Sequence, residues 1–357
     1  MIFWLGRCEE EPDQVMNSAD SRTQPGEQAT QRTPMRATHL ERPFDRLVSS
    51  IPKQVLAVPS MMSVAERRFL YGLAAKYYAG EGLIVDAGIF LGASTTCFGA
   101  GLRENSNLQH ALGEWKRPVV SFERGIVTPT MPAFFKRNAL DIDLKPGDSF
   151  EALVRANVKP VSDVVDLRIG DILETGKIED PVEILFLDVL KLPEINKFVV
   201  ENYYSRLIPG RSIVVQQDYF YDLLPYVKTY QEYFADYFTY IGEIGSTGVF
   251  LCKEKIPQEV TIGIEQKLES EDQIRLATVA LQRSIDPARR FLMALSKVRL
   301  VRKLLGAKAA QNYLQFVKGE YPGVHENAPL RLREALRGAE LVCRAKGDSP
   351  LTEALDA

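Results

Sequence analysis

Histidine and cysteine are both scarce in this chain, three and four residues among 357. Cys8, Cys97, Cys252 and Cys343 stand far apart, with no CxxC pair and no histidine cluster, so neither a disulfide framework nor a zinc site is indicated and a reducing compartment fits. The three histidines, His39, His110 and His325, fall in polar stretches away from the acidic strand ends, which takes histidine base catalysis out of the expected chemistry. An excess of positive charge is also missing. A formal net charge of -3 provides no field that would gather nucleic acid or an anionic membrane. Long apolar runs are absent too: Met1–Leu5 is cut off by Arg7 and Glu9, far short of a signal peptide or a span, so a cytoplasmic protein without membrane insertion is expected. No internal repeat is present.

What remains is the composition of a folded α/β protein, 45% hydrophobic and 25% charged. Residues 1–43 are rich in Gln, Thr, Arg, Glu and Pro and read as a disordered lead. Residues 44–256 read as the main domain. Ser63-Val64-Ala65-Glu66 has capping-box spacing ahead of apolar residues at helical period, predicting a helix to about Tyr78. Short continuous apolar runs then predict buried parallel strands at Leu83–Val85, Val119–Phe122, Val165–Ile169, Ile184–Leu187 and Ser212–Val215. Phe238–Glu243 and Gly248–Cys252, joined by four residues, predict an antiparallel hairpin. Residues 257–357 turn to helical spacing at Ile274–Leu281, Phe291–Leu305, Ala309–Val317 and Leu330–Leu341, predicting a helical extension. The fold expected is a doubly wound, mostly parallel seven-stranded sheet with a C-terminal hairpin and an added helical tail.

The turn Asp86-Ala87-Gly88-Ile89-Phe90-Leu91-Gly92-Ala93-Ser94 follows the first strand and enters a helix, which brings a carboxylate and backbone N–H groups to one edge of the sheet. Its G-x-x-x-G spacing lacks the G-x-G-x-x-G of dinucleotide binders and weakens a nicotinamide-dependent oxidoreductase as an alternative. Glu123 ends the second strand, where a carboxylate can accept two ribose hydroxyls; Gly170-Asp171 ends the third; Asp188 ends the fourth. Two glycines near a strand end also occur as a plain tight connection, and Asp188 also suits a helix N-cap. The polar stretch Arg103–Lys116 reads as a loop insertion lengthening the interval from Asp86 to Glu123.

Across about Ser63 to Glu254 these strand ends, with the turn Leu207–Arg211 into the fifth strand, resemble the ordered motifs of class I S-adenosylmethionine-dependent methyltransferases. The resemblance implies that Asp86, Gly88, Gly92 and Ser94 hold the methionine part of S-adenosylmethionine, Glu123 the ribose, and Gly170 and Asp171 the adenine, with Asp188 beside the cofactor. Phe186-Leu187-Asp188-Val189-Leu190-Lys191 is similar to catechol-type O-methyltransferases, in which the acid binds magnesium and the lysine acts as base. Val215-Gln216-Gln217-Asp218-Tyr219 falls where catechol-type and macrocin-type enzymes carry a pair of metal ligands. That makes Asp188, Lys191 and Asp218 the catalytic candidates, and Asp188, Asp218 and Gln217 the Mg2+ candidates. Gln217 departs from the carboxylate of the relatives, and its amide brings no charge to a hard cation.

The function expected is methyl transfer to a hydroxyl of a small molecule or a sugar. A cofactor-binding domain without catalysis, serving assembly, is the competing reading. Tyr219, Phe220 and Tyr221 are candidates for an acceptor wall, and Thr128–Phe135 for a lid. Arg289, Arg290, Lys297, Arg299, Arg302 and Lys303 make a basic amphipathic helix, which either packs on the main domain, joins two copies as a homo-oligomer, or meets an anionic surface or partner.

Overall fold

The computed structural model describes residues 50–322 and 328–345, so the lead expected over 1–43 lies outside the described residues. Seven strands are formed by apolar runs punctuated by glycine and acidic residues: β1 Leu83–Ala87, β2 Val119–Glu123, β3 Val165–Ile169, β4 Val182–Leu187, β5 Ile213–Gln216, β6 Phe238–Ile244 and β7 Thr247–Cys252. They join in one sheet in the order β3-β2-β1-β4-β5-β7-β6. The first five are parallel; β7 runs antiparallel to both β5 and β6. After β1 the chain winds outward through β2 and β3, then returns to β4 on the other side. The crevice where winding reverses therefore opens at the carboxyl ends of β1 and β4.

Alternation along β1 shows why both sides of the sheet are covered. Leu83, Val85 and Ala87 enter the core on one face and Ile84 the core on the other, all of them buried. The longer helices are α1 Val64–Gly72, α2 Ala93–Arg103, α3 Leu108–Glu114, α4 Met131–Arg137, α5 Glu151–Val158, α6 Pro193–Tyr203, α7 Pro225–Tyr233, α8 Ser270–Leu281, α9 Pro287–Glu320 and α10 Leu330–Arg344. Residues of α1, α2 and α5 complete the core on the Ile84 face; residues of α6, α7 and α8 complete the core on the Val85 face.

Helix α1 starts as its sequence predicts: Ser63 accepts from the Glu66 amide while the Glu66 carboxylate accepts from the Ser63 amide. The expected single helix to Tyr78 changes character after Gly72, because Leu73–Tyr77 form a π-helical turn closed by Tyr78 N donating to Leu73 O at 2.9 Å. The stretch Arg103–Lys116 is not the loop insertion its polarity suggested. Leu108, Ala111 and Leu112 sit at helical spacing, α3 buries Ala111 completely, and Trp115 Nε1 donates to Gly80 O at 3.4 Å.

From Gln258 onward the described elements are all helical. Helix α9 carries Gly306 at φ 85° and ψ 178°, an interruption that separates the two apolar stretches visible in the sequence. Helices α9 and α10 share a small core of their own that includes Phe291, Leu295, Leu314, Val317 and Leu332. The basic stripe turns inward rather than lying free: Arg289 pairs with Glu243 of β6, Arg299 with Asp222 after β5, and Arg290 donates to Ser284 O at 2.6 Å. Lys297 donates to Thr278 Oγ1 at 2.6 Å, and Lys303 engages Tyr226. Among the described residues no helix is long and apolar enough to cross a membrane.

Candidate functional site

Backbone hydrogen bonds at the strand ends place the predicted residues along one rim. Gly88 N donates to Phe122 O at 3.0 Å, Gly170 N to Glu123 O at 2.9 Å, Asp188 N to Ala87 O at 2.8 Å and Gln217 N to Leu187 O at 3.0 Å. Five consecutive neighbouring strands thus deliver residues 88, 123, 170, 188 and 217 to the same carboxyl edge.

At its centre Asp86 is fully buried, because its position on β1 points it between the sheet and α2. Thr95 of α2 donates to its Oδ2 at 2.7 Å. Beside it the Ser94 hydroxyl is also buried. The Ser94 hydroxyl lies close enough to Asp86 to join Thr95 in lowering its pKa, yet neither Ser94 Oγ nor Asp86 Oδ1 makes a well-formed hydrogen bond, which leaves both with capacity for a polar ligand. Burial pushes the Asp86 carboxyl up to about 7 against the lowering hydrogen bond from Thr95.

Gly88 and Gly92 adopt φ 88° and 92°, and a Cβ on Gly88 would lie 2.8 Å from the Asp188 backbone. Only glycine permits that approach of the turn to β4. Phe90 also sits at positive φ, 51°, and its N–H donates to Glu123 Oε2 at 2.7 Å while Gly125 N donates to Oε1 at 3.1 Å. Burial pushes Glu123 up to about 6, opposed by these amides. Each Glu123 oxygen keeps a further lone pair for a ribose hydroxyl. Asp171 is exposed and caps the short helix Ile172–Thr175, accepting from Leu173 N at 2.9 Å. The segment expected as a lid rests against the glycine turn through its phenylalanines. Phe135 is buried, and Phe134, Phe135 and Phe150 surround the Phe90 ring at centroid distances of 5.2, 6.3 and 6.1 Å.

On the β4 and β5 side, Lys191 Nζ lies 2.9 Å from Asp188 Oδ1 and 2.8 Å from Asp218 Oδ2. Burial lowers the lysine's proton affinity, but the two carboxylates together outweigh it and hold the ammonium above its ordinary range. The two ion pairs favour a proton-bearing Lys191, whereas the base role implied by the resemblance needs a neutral one. Asp188 is raised by burial, with Lys191 opposing and Asp218 adding to the rise. For Asp218 burial also acts upward, but Lys191 prevails and the carboxyl is lowered. Asp218 takes φ 61°, a conformation that a non-glycine residue holds only when its surroundings impose it.

The donor set does not suit magnesium. The Lys191 ammonium stands between the two carboxylates, and Gln217 is committed elsewhere: its Oε1 accepts from Thr247 at 2.6 Å and its Nε2 donates toward Glu66 at 3.4 Å. Among the described residues no three His, Cys, Asp or Glu side chains gather in a metal-holding group. Tyr219 and Phe220 are buried core residues, Tyr219 bonded to Glu232, so they do not wall an acceptor; Tyr221 is half-buried and remains at the rim.

Four residues without a motif belong to the same region. Glu66 of α1 is buried and also accepts Thr247 Oγ1 at 2.9 Å; Ser246, its neighbour on the hairpin turn, donates to Asp218 Oδ1 at 3.4 Å. Lys228 of α7 is buried and donates to Tyr221 O and Leu224 O, with burial bringing its pKa down to about 7. Asp222 is buried between Arg299 and Arg331. The Ser63–Glu66 capping spacing was the only sequence signal for any of them.

Two hollows of the structure lie elsewhere. One of about 270 Å3 is lined by Pro181, Leu207 and Lys255 at the opposite edge of the sheet, and one of about 340 Å3 lies between α9 and α10.

The sheet is doubly wound and mostly parallel, closed by an antiparallel hairpin and covered on both faces, the architecture expected from the sequence. Solved structures similar to this chain include the following two. Cofactor-bound Rv0187 from MTB aligns with TM-score 0.39 and 18% identity over 59% of this chain and 94% of that one. CalS11, a calicheamicin methyltransferase, aligns with TM-score 0.35 and 16% identity over 65% of this chain and 99% of that one. No protein-family model matches the chain, and no curated protein matches it.

Proposed function

We propose that this chain binds S-adenosylmethionine at the carboxyl rim of its sheet and transfers the methyl group to a hydroxyl of a small molecule, a sugar being one candidate class. The observation that carries the reading is the convergence of Asp86, Ser94, Glu123 and Asp188 on one carboxyl rim, with Asp86 Oδ1 and Ser94 Oγ buried side by side without a well-formed hydrogen bond at the positions that the resemblance assigns to the methionine part. An ammonium donor there would satisfy the Asp86 carboxylate, and Ser94 would bond the same group's polar end. Glu123 would accept ribose hydroxyls, while Gly170 and Asp171 would flank the base. When bound, the cofactor supplies a methyl group on a sulfonium sulfur, which takes the C–S electron pair as it leaves.

The chain's own work is to orient an acceptor hydroxyl and manage its proton. Asp188, with its raised pKa, would take the proton; the Lys191 ammonium would stabilise the negative charge growing on the acceptor oxygen; Asp218 would hold Lys191 in place. No step requires a metal.

Calorimetry with S-adenosylhomocysteine and with NAD tests the cofactor: heat with the first and none with the second is expected, and the reverse would overturn the proposal. Turnover on a panel of catechol, hexoses and hexosides, with and without chelator, tests the chemistry. Methylation should persist under chelation and fall about 100-fold or more in Lys191→Met. Full dependence on added magnesium would exclude Lys191 as the group that stabilises the acceptor oxygen.

A further inference from the structure

The seven residues from Asp218 to Leu224 form an irregular connection between β5 and α7, yet cations from three different helices grip it. Asp222 at its middle is 1% exposed. Arg299 of α9 donates to its Oδ2 at 3.2 Å and to its backbone carbonyl at 3.2 Å, and Arg331 of α10 pairs with its Oδ1. The Arg331 guanidinium also lies 4.7 Å from the centroid of the Tyr221 ring. Lys228 of α7 ties the carbonyls of Tyr221 and Leu224 at 2.5 and 2.9 Å. At the head of the same connection stands Asp218, in its left-handed conformation, reaching Lys191.

A left-handed conformation is uncommon for a residue with a side chain, and neighbours help to hold it. Ser246 meets its side chain at 3.4 Å, and β5 fixes the chain before it. On the C-terminal side the restraints are the ion pairs to Asp222 and the Lys228 bonds, and the ion pairs come from the helical extension. We propose that the extension acts on the reaction: Asp222, Arg299 and Arg331 are positioning residues that hold the connection after β5 so that Asp218 stays against Lys191. The proposal rests on the methyl-transfer reading for its consequence but not for the brace itself.

The test uses the full chain with Arg331→Met, Arg299→Met and, as the conservative variant, Arg331→Lys, which keeps the charge and loses the bidentate fork. Amide hydrogen exchange of segment 217–224 should quicken at least tenfold in the methionine variants, and by less in Arg331→Lys. Affinity for S-adenosylhomocysteine should stay within twofold, since residues 86–94 and 123 are untouched. Turnover on the best acceptor of the panel should fall at least tenfold, with partial recovery in Arg331→Lys. Unchanged exchange at 217–224, or faster exchange spread evenly over the chain, would overturn the brace; faster local exchange with undiminished turnover would overturn its action on the reaction. A wild-type chain that binds no S-adenosylhomocysteine would instead sink the methyl-transfer reading, and the exchange result would still decide whether the extension clamps the connection.

Discussion

A carboxylate held neutral near pH 7 inside a protein is a store of unfavourable energy that a cation can release, and Asp86 is such a group. Its folded-state pKa, about 7, lies above the ordinary 3.8. The stability linked to it is therefore fully present below pH 4 and is lost as pH rises through 7. Asp86→Asn removes that loss, so the variant should exceed the parent by about 2 to 4 kcal/mol at pH 8 and match it near pH 4, measured by denaturant unfolding at both pH values. The same substitution should abolish binding of S-adenosylhomocysteine. In the parent chain, affinity should weaken about tenfold per pH unit below 7, because the carboxylate must lose its proton before it can face an ammonium. A variant both less stable at pH 8 and still able to bind would contradict both roles of Asp86.

Among the elements, the glycine turn between β1 and α2 carries the most constraint. Gly88 combines φ 88° with a Cβ direction that ends 2.8 Å from the Asp188 backbone, so Gly88→Ala has neither the conformation nor the space. A cost of roughly 2 to 4 kcal/mol is expected in denaturant unfolding, together with displacement of Asp188 and loss of turnover. This turn, the strands and the hairpin were legible in the sequence because apolar runs and glycines act locally. Residues Arg103–Lys116 were not, because polar neighbours hide the few apolar residues, Ala111 among them, that fasten the segment down. Tyr219 and Phe220 misled for the converse reason: aromatics after a strand suit a wall or a core equally, and the nearby Glu232 of α7 decided for the core.

On the scale of the whole molecule, the helical extension is joined to the sheet through buried charge. Glu232, 1% exposed at its side chain, accepts both Tyr219 and the Arg283 fork, at 3.0 and 2.7 Å from the guanidinium, and Arg289 meets Glu243 of β6. Removing one partner of a buried pair leaves the other charge uncompensated, at about 3 to 5 kcal/mol. Arg283→Met should accordingly lower the stability of the entire chain by that amount in a single unfolding transition followed by calorimetry. Two transitions, with only the later helices melting early, would show the layers to be energetically separate.

Composition, apolar period and the order of strand-end residues determined the sheet, its hairpin and the residues that reach its carboxyl edge, because each depends on neighbours a few positions away. Which groups then meet there was decided by the tertiary structure alone. Lys191 came to lie between two carboxylates, Gln217 against Thr247, and the extension against the connection after β5, through contacts such as Asp218 with Lys191, Thr247 with Glu66 and Asp222 with Arg331. The last two pairs join residues 181 and 109 positions apart, and proton affinity and charge pairing follow from who stands within a few ångströms, which no local pattern encodes.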